Sequence, residues 1–200
     1  MAYSDFTFPK MSARFGIQQE ETALFDTANI TPAVLSQHLT DDIAESKMFP
    51  IMSEKAKSEA IIFPVIKELK RNNPNITIFS GYTFNIDASN DLMGAPDFMI
   101  SAKPRMVEVQ SPVFCLLESK NRTPDEGFAQ CAAEMYAARV FNQQTGEAHE
   151  TIYGAVTNAF EWIFLKLEGN TIYIDTNRYF LNELPTILGI LNHVIALSKK

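Results

Sequence analysis

Val113-Phe114-Cys115-Leu116-Leu117 is a run of five apolar residues followed at once by Glu118-Ser119-Lys120. Successive side chains of a strand point to opposite faces, so a strand that is apolar at every position needs cover above and below. This one segment therefore predicts the centre of a β-sheet with helices on both sides. The chain has 200 residues, 46% of them hydrophobic, which is enough to bury one full core, and it reads as one domain.

The flanking patterns supply the rest of an α/β fold. Residues 1–45 read as an N-terminal arm with covering helices, and residues 46–200 as the core. The first ten residues show no period. Leu24, Phe25, Ile30, Val34, Leu35, Leu39 and Ile43 then suggest one or two short helices, with Thr31-Pro32 as a start. From 53 to about 71, Met52, Ala56, Ile62, Phe63, Ile66 and Leu69 fall on one side of a helix that Pro64 should kink. Asn72-Asn73-Pro74-Asn75 is a turn, and a β-branched, aromatic segment runs from Ile76 to about Ile86. A hairpin-like loop over 87–93 leads to a strand beginning at Asp97. Thr123-Pro124-Asp125-Glu126 has the residues of a capping box and predicts a helix to about Asn142. Strands are predicted at 152–156, 162–167 and 171–174, the last two joined through Glu168-Gly169-Asn170, with a closing helix from about Glu183. The sum is a mixed sheet flanked by helices.

Several function classes are excluded or weakened. The longest apolar stretch, 184–197, is interrupted by Pro185, Thr186, Gly189, Asn192 and His193, and no apolar leader opens the chain. Both points imply a soluble, cytoplasmic protein with no membrane partner. A net charge of −7 argues against broad duplex binding, which depends on cations displacing phosphate counterions. Any nucleic-acid contact has to be local or metal-mediated. Cys115 and Cys131 form no disulfide framework and read as small core residues. His38, His149 and His193 share no spacing with an acid or cysteine that suggests a triad or zinc site, and Trp162 reads as core or rim. The apolar stripe over 187–197 either covers the sheet or mediates a homodimer.

The chemical signal lies at the end of the central strand. Glu118 and Lys120 are two residues apart and so emerge on one face. Asp97 opens the preceding strand, and antiparallel pairing would bring its carboxylate to Glu118. Two converging carboxylates repel unless a cation lies between them, which points to Mg²⁺ or Mn²⁺. The alternative is a strand-end salt bridge between Lys120 and one acid. Glu-x-Lys alone carries nothing, since Glu45-Ser46-Lys47 and Glu68-Leu69-Lys70 repeat it in helical surroundings, where a solvated surface pair is expected. Glu59 interrupts an apolar stripe, so it either turns outward to water or faces a polar site. Gln130 and Glu134, one helical turn apart, can present an amide and an acid to the same region.

Glu59, Pro96-Asp97, Glu118-Ser119-Lys120 and Gln130 together resemble the PD-(D/E)XK nuclease superfamily, with its restriction-endonuclease-like fold, over about residues 52–175. Phe84-Asn85-Ile86-Asp87, the strand ending at Lys120, Gln130-Cys131-Ala132-Ala133-Glu134-Met135 and Ile152-Tyr153-Gly154-Ala155-Val156-Thr157 are similar to a group of bacterial proteins, many cyanobacterial, without an assigned role. The resemblance implies metal ligation by Asp97, Glu118 and the main-chain carbonyl of Ser119, with Glu59 adding a ligand or holding a metal-bound water. It implies that Lys120 orients or helps deprotonate the attacking water and that Gln130 orients substrate or water. The implied activity is Mg²⁺-dependent hydrolysis of DNA, with a catalytically silent binder of nucleic acid or protein as the rival. The Gln-x-x-x-Tyr spacing of some exonuclease-like branches is missing, because Tyr136 lies six residues after Gln130.

Overall fold

The computed structural model describes residues 2–147 and 149–198, apart from the Cys115 side chain. The expectation for Cys115 lies outside that range, while Cys131 is buried. Among the described residues, one mixed sheet of eight strands organises the fold. Its strands are β1 (Gln18–Thr22), β2 (Thr77–Ser80), β3 (Phe98–Ser101), β4 (Val113–Ser119), β5 (Thr151–Thr157), β6 (Glu161–Glu168), β7 (Thr171–Asp175) and β8 (Tyr179–Phe180). The order is β1-β7-β6-β5-β4-β3-β2, with β8 added beside β6. β4 lies in the interior, antiparallel to β3 and parallel to β5.

The helices are α1 (Phe8–Phe15), α2 (Gln37–Ser46), α3 (Glu54–Lys57), α4 (Phe63–Asn72), α5 (Phe128–Gln144) and α6 (Leu184–Leu197). They divide between the two faces as the apolar strand requires. Phe114 and Leu117 of β4 join the core with Leu39 of α2, Val65, Ile66 and Leu69 of α4, and Ile187, Leu188 and Leu191 of α6. Val113 and Leu116 face the other core, built from Cys131, Ala132, Met135 and Ala138 of α5 with Met11 of α1. The apolar face of α6 is thus laid against the sheet. Trp162 is fully buried in the first core. No described helix is long and apolar enough to cross a membrane.

Small residues let α5 come down onto β4 and β5. A methyl group at Gly154 would lie 2.6 Å from Met135 Sδ and 2.8 Å from Cys131 Sγ. At the far end of α5, buried Asn142 finishes the sheet. Its Nδ2 donates to the Val113 carbonyl at 2.7 Å, and its Oδ1 accepts from the Val113 N–H at 2.9 Å, where the ladder with β5 has not yet begun.

Sequence expectation and structure part company in several places. The first ten residues are not a loose arm: Tyr3–Asp5 is a 3-10 turn with Tyr3 buried, and α1 follows, capped by Thr7 and ended by Gly16 at φ 69°. β1 was not expected, because Gln-Gln-Glu-Glu-Thr is exposed throughout and has no apolar face to betray it. The covering helix starts not at Thr31-Pro32 but after Ser36, whose hydroxyl accepts from the Leu39 N–H. The segment after Ile76 is a strand only to Ser80, since Gly81 turns the chain away at φ 66°. Thr123 makes no side-chain cap, and a 3-10 turn, Pro124–Gly127, precedes α5. Glu68 is buried rather than solvated, and its carboxylate accepts from Ser36 N, Ser36 Oγ and Arg71.

The long helix is continuous from α3 through a π-helical turn, Ser58–Ile62, into α4. Pro64, without an N–H, sits just after this turn, where a widened hydrogen-bond pattern is tolerated. Met52, 81% exposed, precedes the helix, which begins only at Glu54, and Glu59 lies within the widened turn with its side chain exposed. Phe63, expected in the stripe, is half exposed.

Asn142→Ala should cost on the order of 2–4 kcal/mol in urea unfolding, because it orphans a buried N–H and a buried carbonyl together. An unchanged midpoint would show that water satisfies Val113 instead.

Candidate functional site

β4 carries an irregularity near its start, where its register with β3 shifts between Ile100 and Ser101, so Val113 and Leu116 share a face. Beyond it the strand alternates, and Leu116, Glu118 and Lys120 lie on the α5 side of the sheet. Lys120 ends the strand with its N–H on the Thr157 carbonyl of β5 at 2.8 Å. Gly127 makes room for its stem: a methyl group there would lie 2.9 Å from Lys120 Cε and 2.6 Å from Val156. No feature of the sequence alone marked that glycine.

Four polar side chains close a network there. Lys120 Nζ donates to Glu118 Oε1 at 2.7 Å and to Gln130 Oε1 at 2.9 Å. Gln130 Nε2 donates to Glu118 Oε1 at 2.6 Å and to Glu134 Oε1 at 3.1 Å. Glu118 is 4% exposed and Glu134 is fully buried, yet Oε2 of each has no hydrogen-bond partner in the protein. Asp97 enters from β3. Just past the Phe98–Leu117 pair, where the ladder ends, its Oδ2 accepts from the Ser119 N–H at 2.7 Å.

The electrostatics follow from burial and crowding. Burial, followed by the charge of Asp97, pushes the Glu118 carboxyl up to about 7 against the pull of Lys120. Burial also carries Glu134 well above the usual carboxylate range, with the Glu118 charge adding to it. For Lys120, burial works against the charge, but the charge and hydrogen bond of Glu118 outweigh it and raise the pKa. Lys120 is therefore an ammonium at neutral pH, suited to holding an anion or orienting a water. Tyr3 sits behind this group; burial and the charge of Glu134 hold its phenol protonated.

A cleft of about 320 Å³ opens at the same end of the sheet. Glu54, Lys55, Ser58 and Glu59 form its helical wall, and Ser80, Asp97 and Ser119 its strand wall. Glu59 turns outward: its side chain is 68% exposed, 3.8 Å from Lys55. Of the predicted residues, Glu118, Lys120 and Gln130 meet on the α5 side and Asp97 bonds Ser119 beside them, but only Asp97 and Ser119 line the cleft, with Glu59 on its opposite wall. Glu54 and Tyr3 went unnoticed in the sequence. Glu54 looks like any helix-start acid, and Tyr3 precedes any periodic segment.

The donor set suits a hard divalent cation, since it is made of oxygens and includes a buried carboxylate oxygen with nothing bound to it. Among the described residues, no three His, Cys, Asp or Glu side chains gather as a ligand group. A cation would therefore need a main-chain carbonyl and water beside Asp97 and Glu118. The site is a strand-end pair of carboxylates braced by an ammonium and an amide, in a helix-covered mixed sheet. The chain matches no protein-family model and no curated protein.

Because the Glu118 pKa is raised from 4.5 to about 7, the folded protein holds a proton that the unfolded chain releases between those values. Its contribution to stability is present at low pH and lost as pH rises through that window. In chelator, wild-type stability should fall on the order of 2–3 kcal/mol between pH 5 and pH 8. Glu118→Gln should flatten that slope; parallel curves for the two proteins would show that Glu118 titrates normally.

Proposed function

We propose that this protein is a divalent-cation-dependent phosphodiesterase, using Mg²⁺ or Mn²⁺, with DNA as its substrate and the cytoplasm as its location. The observation that carries the reading is the partnerless, buried Glu118 Oε2 beside Asp97, with Lys120 engaged on the other oxygen. A chain that kept two acids this close without use would bear the repulsion for nothing. Their convergence with Ser119, Lys120 and Gln130 supports the resemblance to the PD-(D/E)XK superfamily.

In this reading Asp97, Glu118 and the Ser119 carbonyl would hold the cation, and Glu59, on the opposite wall of the cleft, would be available to a cation-bound water. The cation supplies Lewis acidity toward the phosphate and lowers the pKa of a water. Lys120, charged and fixed by Glu118 and Gln130, would orient an attacking water and stabilise the charge that develops on the phosphate. Gln130 keeps the ammonium and the carboxylate in register. The rival, a silent fold that binds nucleic acid or a protein in the same cleft, draws support from the net charge of −7. A homodimer is compatible with either.

Mn²⁺ at a hundredfold excess over its Kd should stabilise the wild type by about 2.7 kcal/mol and raise its Tm by several degrees. Asp97→Ala and Glu118→Ala should show no such rise; a rise in all three would place the cation elsewhere. With plasmid and single-stranded DNA in Mg²⁺ or Mn²⁺, Lys120→Ala should cut about 10²-fold or more slowly than wild type. Equal cleavage by both proteins would remove Lys120 from the chemistry, and no cleavage by either, with Mn²⁺ bound, would favour the silent binder.

A further inference from the structure

Glu134 has no contact with the cleft, yet it is the most deeply buried acid around the site. It rises from α5 among Cys131, Ala132, Ala133, Met135, Ala137 and Ala138, where an aliphatic side chain would pack without any polar cost. Its Oε2 is bonded to nothing in the protein, so whatever it does is done through Oε1. Oε1 has one hydrogen bond, from Gln130 Nε2.

That bond completes the valence of the amide. A primary amide has two N–H donors and one carbonyl. In Gln130 the donors go to Glu118 Oε1 and Glu134 Oε1, and the carbonyl accepts from Lys120 Nζ. Glu134 stands four residues on, on the same face of a helix held tightly to β5 by Gly154, so its position is set by the backbone. A glutamine has three rotatable side-chain bonds and, without that anchor, gains freedom to leave the carboxylate. Tyr3, packed against Gly94 with its hydroxyl on the Phe84 carbonyl at 2.5 Å, lies behind Glu134 and helps to bury it.

We propose that Glu134 is the positioning residue of this site: by holding one N–H of Gln130, it fixes the amide that keeps Glu118 Oε1 and Lys120 together and leaves Glu118 Oε2 without a partner in the protein. Its relevance to cation binding rests on the function proposed above, but the positioning itself does not. Residues of this kind behind metal ligands typically change metal affinity by about 10–100-fold.

The test uses the whole chain in three variants: Glu134→Gln, which keeps an oxygen acceptor, Glu134→Met, which fills the volume without one, and Gln130→Met. Side-chain amide NMR in chelator reads the positioning directly, with Gln130 assigned from its loss in Gln130→Met. The two Gln130 protons should be well dispersed in wild type and Glu134→Gln and should collapse toward solvent values in Glu134→Met. Calorimetric Mn²⁺ titration should show near-wild-type affinity for Glu134→Gln and about tenfold or greater weakening for Glu134→Met. Adding Glu134→Met to Gln130→Met should cost no further affinity, a result that a merely structural role would not give. An unchanged amide signature in Glu134→Met overturns the proposal, as do equal Mn²⁺ affinities for wild type and Glu134→Met or additive losses in the double variant. If Glu134→Met does not fold, loss of the dispersed amide signals in folded Glu134→Gln overturns it and their retention supports it. Collapse of the amide signature in a protein whose wild type binds no Mn²⁺ would uphold the positioning and sink the cation reading instead.

Discussion

The burial of β4 on both faces is the constraint from which the rest of the structure follows. Phe114 and Leu117 require α2, α4 and α6 on one side, and Val113 and Leu116 require α5 and α1 on the other. Burying one such side chain is worth about 1.5–3 kcal/mol, so no arrangement that leaves either face in water competes. This two-sided cover is also what makes the strand's end unusual. Where the apolar residues stop, the next residue on the α5 side is still roofed by that helix, and it is a glutamate.

Glu118 is therefore buried by the fold rather than by its own preference. The surroundings compensate in part: an ammonium and an amide share one carboxylate oxygen, and the strand-end N–H of Ser119 steadies Asp97. They do not compensate fully. Raised pKa values at Glu118 and Glu134 and two orphan oxygens mark carboxyl groups whose charged form the protein alone does not satisfy, so that each tends to keep its proton. Carboxyl groups left in this state are predisposed to give up their proton to a cation, which satisfies the charged form that the protein does not, and this is the physical basis of the cation reading.

Much of this was legible in the residues. The apolar run at 113–117, the small residues of α5 and the Glu168-Gly169-Asn170 turn each specify one local outcome, and the mixed, helix-flanked sheet follows from them. Asp97, Glu118 and Lys120 were legible because strand periodicity fixes which face each takes. What escaped had no local signature. β1 is all polar and exists because β7 offers it an edge. Tyr3 is ordered by packing at Gly94 and behind α5, residues far along the chain. Glu59 was readable as an anomaly, but it turns outward within a π-helical turn that no simple period contains.

Local composition and periodicity by themselves determined that the chain makes a covered sheet and that acids and a lysine terminate its central strand, because alternation and burial depend only on neighbouring residues. The tertiary structure alone decided how those charges are paired. Whether Lys120 answers Asp97 or Glu118, whether Gln130 reaches both, and whether Glu134 is in water or buried near Tyr3 depend on distances between segments far apart in the chain. Electrostatic energy in a buried site varies steeply with such distances, and no pattern within a single segment encodes them.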